Sequence, residues 1–159
     1  MRKAFLQTLT KIAQDDKDVI FLIGDVGFSY VEEFKDKFPK QFLNCGIAEQ
    51  NMLGMAAGMA EEGLKPYVYT MSNFIVLRAI EQLRNDICYS NANVKLFGVK
   101  GGASYKFLGH SHNLEVGEED AMLSFMPNLK KHTANYTPAK VEKEMLIEYH
   151  RNGPAYFSI

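Results

Sequence analysis

Two hydrophobic periods alternate along the chain, and each change of period marks an element boundary. Phe5, Leu9 and Ile12 recur at helical spacing, and Val19–Ile23 is then an unbroken apolar run ending at Gly24-Asp25, a helix followed by a buried strand. A second amphipathic stretch over 30–38 stops at Pro39, and a short strand is predicted at 41–43. Next comes a helix that opens near Glu49 and ends at about Gly63, with almost no polar side chains after its first turn. A strand over 66–70 leads to a long helix whose apolar side carries Val76, Ile80, Leu83 and Ile87. The run 94–99 reads as strand and opens into a glycine-rich stretch, 100–117, that resists packing and suits a surface binding loop. Helices at 118–126 and 138–151 and strands at 129–132 and 155–159 complete the pattern, with Val141, Met145 and Tyr149 facing the core.

Strands separated regularly by helices need crossover connections. The expected fold is therefore α/β and doubly wound, a mostly parallel sheet with helices on both faces. The chain has 159 residues, 47% apolar and 23% charged, enough for one domain with a substantial core and far from a disordered composition. A formal net charge of −1, with scattered lysines and arginines, supplies no field for nucleic acid or an anionic membrane. No apolar run reaches bilayer length and Met1-Arg2-Lys3-Ala4 opens no signal peptide, so a cytoplasmic location is expected. Cys45 and Cys88 stand apart, without the spacing of a zinc site or a disulfide framework, and read as inert thiols.

Open α/β sheets bind ligands outside the carboxyl ends of their strands. The chemically interesting residues follow successive strands: Asp25 and Ser29 the first, Glu49 the second, 72–74 the third, and His110 and His112 the fourth. Glu49 stands out. An acid ahead of such an apolar helix is expected to be partly desolvated, which raises a carboxyl pKa and lets it share a proton with a bound base. The plainer alternative is an acid in the first helical turn, favoured by the helix dipole at about 0.3–1 kcal/mol. Asp25 reads equally well as the cap of a turn, and Gly54 and Gly58 as packing residues that let another element approach.

Gly46-Ile47-Ala48-Glu49-Gln50-Asn51-Met52, followed by Gly54, Ala57, Gly58, Ala60 and Gly63, resembles the signature of the pyrimidine-binding domain of transketolases. The likeness continues through Gly24-Asp25-Val26-Gly27, the segment Arg78-Ala79-Ile80-Glu81-Gln82-Leu83-Arg84, Gly109-His110-Ser111-His112 ahead of Glu119-Asp120, and Pro127-Asn128-Leu129. It covers nearly the whole chain and implies the thiamin diphosphate-binding fold of pyrimidine-domain type, with residues 1–159 as a single such domain. The Gly-Asp-Gly pattern that in this family holds magnesium and the diphosphate is missing, as is the smaller third domain. The resemblance thus implies one half of a composite active site, with magnesium ligands on a partner domain.

For the site, the resemblance implies that Glu49 bonds the ring nitrogen of the cofactor's aminopyrimidine, favouring the imino tautomer that removes the thiazolium proton. Ile47 and Met52 are expected to wall this acid, Phe74 to stack on the pyrimidine, and Asp25 to face the cofactor. Ser111-His112 resembles the family's threonine-histidine pair, so His112, ahead of His110, is expected to bind substrate and move protons, a role suited to a near-neutral pKa. Arg2 and Ser29 match positions that contact the sugar phosphate. Asn113 departs from the histidine or glutamine common in related proteins, and two residues are inserted before Glu119-Asp120, so the sugar is not named.

The function so implied is the pyrimidine-binding part of a split transketolase, moving a two-carbon ketol unit between sugars once a diphosphate-binding subunit or domain joins it, as a homodimer or hetero-oligomer. Two alternatives stay open: the matching subunit of a 2-oxo acid dehydrogenase or decarboxylase, and a non-catalytic interaction module on the same fold.

Overall fold

The computed structural model describes residues 1–133 and 137–159, the side chains at 103 and 104 excepted. Six strands, β1 (Val19–Ile23), β2 (Phe42–Asn44), β3 (Lys65–Met71), β4 (Lys95–Val99), β5 (Lys130–His132) and β6 (Ala155–Ser158), form one sheet in the order β2-β1-β3-β4-β6-β5. Every pairing is parallel. The carboxyl ends of β2, β1, β3 and β4 therefore lie side by side on one rim, as the order of candidate residues anticipates.

Side chains alternate across the pleat and divide the core in two. Phe21, Ile23, Tyr69, Phe97 and Phe157 point to one face, where helix α1 (Arg2–Asp15) and the C-terminal helix Pro138–His150 cover them. The packing there is aromatic: the Phe5 ring lies 4.1 Å from Phe97, and Phe97 stacks 4.5 Å from Phe157. Leu22, Val68, Leu96 and Tyr156 point to the other face, against Met52, Leu53 and Ala56 of α3 and Val76, Ala79 and Leu83 of the helical segment 74–89. Here α3 denotes Glu49–Glu61, and α2 is the short helix Glu32–Lys37.

Where elements deviate from the pattern, side-chain bonding gives the reason. The 41–43 strand shifts to Phe42–Asn44 because buried Gln41 turns inward, its amide donating to the carbonyls of Asp16 (2.9 Å) and Val19 (3.0 Å). The 74–89 segment has one short α-turn, Ile80–Gln82, between π-wound stretches Phe74–Arg78 and Leu83–Tyr89. The glycine-rich stretch is not open loop: it coils at Gly102–Tyr105 and Lys106–Ser111, pinned by the Asn113 amide to the carbonyls of Tyr105 (2.9 Å) and Gly109 (2.8 Å). Gly54 and Gly58 meet nothing within 4 Å of a built Cβ. Among the described residues no side chain packs onto them; they line a surface depression with Asp86 and Ser90, while α3 packs on the sheet through Met52, Leu53 and Ala56. Among the described residues no helix is long and apolar enough to cross a membrane.

Candidate active site

The rim is built from buried polar groups whose bonding is incomplete. Glu49 begins α3 and is 1% exposed, so the expected burial of this acid is present. Its surroundings are not the expected apolar enclosure. Met52 is fully buried beneath it, but Ile47 is 78% exposed and walls nothing in this chain, because it precedes the helix on a turn closed from Ala48 N–H to the Gly46 carbonyl (2.9 Å). The second wall is instead a cation. Arg78 Nη1 donates to Glu49 Oε2 at 2.7 Å, a salt bridge in place of the apolar contact from which a neutral acid was expected.

The other carboxylate oxygen, Glu49 Oε1, is buried and has no hydrogen-bond partner, and neither has the neighbouring Thr70 Oγ1. Gly24 keeps this space open. A Cβ there would lie 3.0 Å from Thr70 Oγ1 and 3.3 Å from Glu49 Oε1. Leaving a buried acceptor unpaired costs about 1–3 kcal/mol, more for a charged group, which is why such atoms concentrate where a ligand completes them. These are the features an N–H-bearing heterocycle such as an aminopyrimidine would fit. An acceptor waits on one side, and the ring of Phe74 lies next to it, linked through Arg78.

Phe74 is 7% exposed, with the Arg78 guanidinium 3.8 Å from its centroid and the His112 ring edge-on at 5.1 Å. His112 is oriented by Ser111. The Ser111 hydroxyl donates to the Leu108 carbonyl (2.9 Å) and lies 2.8 Å from His112 Nδ1, so in the neutral ring Nδ1–H donates to Ser111 and Nε2 is the proton acceptor. His112 stands between two cavities. One, of about 240 Å³, is lined by Arg2, Asp25, Tyr30, Tyr69 and Tyr105, and the Arg2 guanidinium sits 5.5 Å over the Tyr105 ring. The other, of about 360 Å³, is lined by Ser72, Asn73, Lys100 and Glu119. Burial pushes the Tyr69 hydroxyl up to about 12, so it faces the first cavity as a neutral hydrogen-bonding group.

The fold thus gathers Arg2, Asp25 and His112 around one cavity and joins Glu49 to Phe74 through Arg78. Asp25 fills both roles considered for it. It is a left-handed turn residue (φ 52°) whose carboxylate accepts from the Asn44 amide at 3.1 Å, and it lines the cavity. Ser29 is not brought in. It lines a separate depression with Lys3 and Glu33, its N–H held by Glu32 Oε1 at 2.9 Å. The His110 side chain is 90% exposed near Glu115 (3.3 Å), and only its carbonyl reaches inward, to the Asn73 amide (2.8 Å).

Arg78, Thr70 and Tyr105 line or bond the candidate site without having been singled out in the sequence as site residues, whereas Asn73 falls in the 72–74 segment that was. Arg78 had a signal, since it opens the Arg78–Arg84 segment; the π-winding that sets it against Phe74 had none. Elsewhere, His132 lies between Glu144 (2.8 Å) and Glu148 (3.0 Å), far along the sheet at β5, and burial pushes the thiols of Cys45 and Cys88 up, the latter to about 12. Among the described residues no group of three or more His, Cys, Asp or Glu is placed to hold a metal ion.

Comparison with known proteins bears on this geometry. The family model "Transketolase, pyrimidine binding domain" matches residues 1–159. The chain is 42% identical over 113 residues to an apulose-4-phosphate transketolase subunit of Phocaeicola vulgatus, covering 70% of this chain and 36% of that one. It is 33% identical over 158 residues to a putative transketolase C-terminal section of Methanocaldococcus jannaschii, covering 98% and 49% respectively. Among solved structures it superposes on a split gene transketolase, described as an inactive beta4 tetramer, with a TM-score of 0.84 and 31% identity over 99% of this chain and 49% of that one. The chain thus spans between about a third and half the length of these relatives.

Proposed function

The chain belongs to the transketolase pyrimidine-binding domain family, and from that premise we propose that it supplies the pyrimidine half of a thiamin diphosphate site in a split transketolase. Residues 1–159 act as one pyrimidine-binding domain, and the diphosphate and its magnesium are held by residues outside them. The observation that carries this reading is the buried, half-satisfied carboxylate of Glu49 beside Phe74 at the shared rim of four parallel strands.

When bound, the cofactor supplies a carbanion equivalent that takes up and releases a two-carbon ketol unit. The chain's own residues prepare that chemistry. Glu49 accepts a hydrogen bond from the ring nitrogen through an oxygen with no competing protein donor, and Phe74 orients the ring plane. Ile47, exposed beside Glu49, and Asp25 complete the cofactor's surroundings on the assembled enzyme. His112 Nε2 moves a proton to or from a substrate hydroxyl, with Ser111 holding the ring. Arg2, in the same cavity, takes the sugar phosphate. Ser29 and His110 would reach substrate only after rearrangement.

Assembly is supported by the rim's surface. Phe28, Ile47, Leu77 and Phe107, each following a different strand of the set, are all exposed. Large apolar side chains left exposed after neighbouring strands are what an interaction surface on this rim would present. The partner in this reading is a diphosphate-binding transketolase subunit or domain, in a homodimer or hetero-oligomer, and the chain is inactive without it.

The test combines the chain with that partner, magnesium and thiamin diphosphate and follows ketol transfer from a ketose phosphate to an aldose phosphate. Transfer that is lost with Glu49→Gln is expected. Stable assembly without transfer favours a scaffold, and turnover with a 2-oxo acid in place of the ketose favours the alternative thiamin chemistry. That second reading has a specific observation behind it: the chain is also 34% identical, over 79% of its length, to the 1-deoxy-D-xylulose-5-phosphate synthase of Clostridium perfringens.

A further inference from the structure

Resting on that reading of the site, we infer that Arg78 is an internal stand-in for the aminopyrimidine, occupying its place in the unliganded chain and leaving it when the cofactor binds. A ring at this site needs two things, the carboxylate of Glu49 and an uncovered face of Phe74. One guanidinium takes one oxygen of the first and the face of the second. Its Nη1 donates to Glu49 Oε2 at 2.7 Å, and its Cζ lies 3.8 Å from the Phe74 centroid, van der Waals distance, which leaves no room for a second plane between them. Phe74 has little other surface to offer, being 7% exposed with His112 against its edge.

The chemistry of the substitution is close. A guanidinium is flat, delocalised and rich in N–H donors, as a nitrogen heterocycle presenting an N–H and an amino group is. The local winding permits it: Phe74 and Arg78 span one π-turn, closed from Ala79 N–H to the Phe74 carbonyl at 3.1 Å, which places the two side chains one above the other. Arg78 can also leave. Its side chain is 42% exposed while that of Glu49 is 1% exposed, so the cation can swing into solvent without disturbing buried neighbours.

The arrangement serves the free chain. Without Arg78, a buried carboxylate would stand unpaired before assembly. The consequence is competition, because the apparent affinity for the cofactor falls by the fraction of molecules in which Arg78 has vacated the site.

The test titrates thiamin diphosphate, with magnesium, into the chain assembled with its diphosphate-domain partner, by calorimetry, for wild type, Arg78→Gln, Arg78→Lys and Glu49→Gln; thermal melts of the free chain accompany it. Arg78→Gln is expected to lower Kd on the order of tenfold while lowering the melting temperature of the free chain. Arg78→Lys keeps the charge but not the flat fork, folds more securely, and is expected to lower Kd by a smaller factor. An unchanged Kd with a lowered melting temperature would mean a purely structural ion pair, and a raised Kd would make Arg78 a ligand of the bound ring; either overturns the inference. The underlying reading fails separately, if Glu49→Gln binds the cofactor as well as wild type does.

Discussion

Two of the buried glutamates of this molecule, Glu49 and Glu119, differ in kind in their bonding. Glu119, in the short helix Glu118–Leu123, has both oxygens in use: Oε1 accepts from the Tyr156 hydroxyl at 2.5 Å, and Oε2 accepts from the Ser158 hydroxyl at 2.7 Å with Lys100 at 3.3 Å. Glu49 has one oxygen on Arg78 and one on nothing. Glu119 ties the segment after the His112 coil to β6. It is a joint. Glu49 has been left unfinished by its own chain, and an unfinished buried acid has a use only if something from outside completes it. Satisfaction, more than burial, separates this structural acid from the one proposed to meet the cofactor.

That contrast can be broken most directly at Glu119. Glu119→Ala leaves the buried hydroxyls of Tyr156 and Ser158 unpaired, and a loss of about 3–5 kcal/mol in denaturant unfolding is expected. A loss below about 1 kcal/mol would make Glu119 replaceable and the distinction empty. The complementary experiment is Glu49→Gln, which keeps an acceptor for Arg78 and changes shape little. Unfolding should shift by no more than about 1 kcal/mol, whereas cofactor affinity in the assembled enzyme should fall by about ten- to a hundredfold, the worth of a charged hydrogen bond. Equal losses at both positions would place the two acids in one class.

The same rule can be sharpened for a cation. Lys95 is buried at the start of β4, its ammonium donating to the carbonyls of Arg151 (2.9 Å) and Gly153 (2.7 Å). Burial, with the nearby Arg151 charge adding, pushes its pKa down from 10.5 to about 7. Between these values the unfolded chain holds a proton that the folded chain has released, so stability from this group rises as pH rises from 7 toward 10. Below pH 7 both states are protonated and the cost of the buried charge is fully present. Melts at pH 7 and pH 9.5 should show wild type gaining on Lys95→Met at the higher pH, and parallel curves would show that Lys95 keeps an ordinary pKa. Because Lys95 lies at the amino end of β4, on the opposite rim from the candidate site, cofactor affinity should be the same in both proteins.

Much of this was legible along the chain. Runs such as Val19–Ile23 carry their burial in every residue, and the helices between them left a parallel sheet as the arrangement short connections allow, so the rim that gathers the candidate residues followed from connectivity. The burial of Glu49 was legible too, from the apolar helix it heads, although an acid in a first helical turn is by itself explained by the helix dipole and only the surrounding motif pointed to a ligand. Other residues lie elsewhere in this chain than their pattern suggested, for physical reasons. Ile47 looked like a wall because it is apolar, yet its turn aims it outward. Gly54 and Gly58 looked like a packing seam, but among the described residues nothing lies within 4 Å of a Cβ built on either. Ser29 lies two residues beyond a cavity-lining glycine and still faces another depression.

By itself, then, the sequence determined the order of elements, their parallel pairing and the strand ends at which chemistry collects, because hydrophobic period and connection length are local properties. Only the tertiary structure decided what Glu49 touches. Its partner Arg78 is distant along the chain and arrives through π-winding and the packing of a helix against a sheet. Whether a buried charge is complete or waiting depends on neighbours that no local pattern encodes.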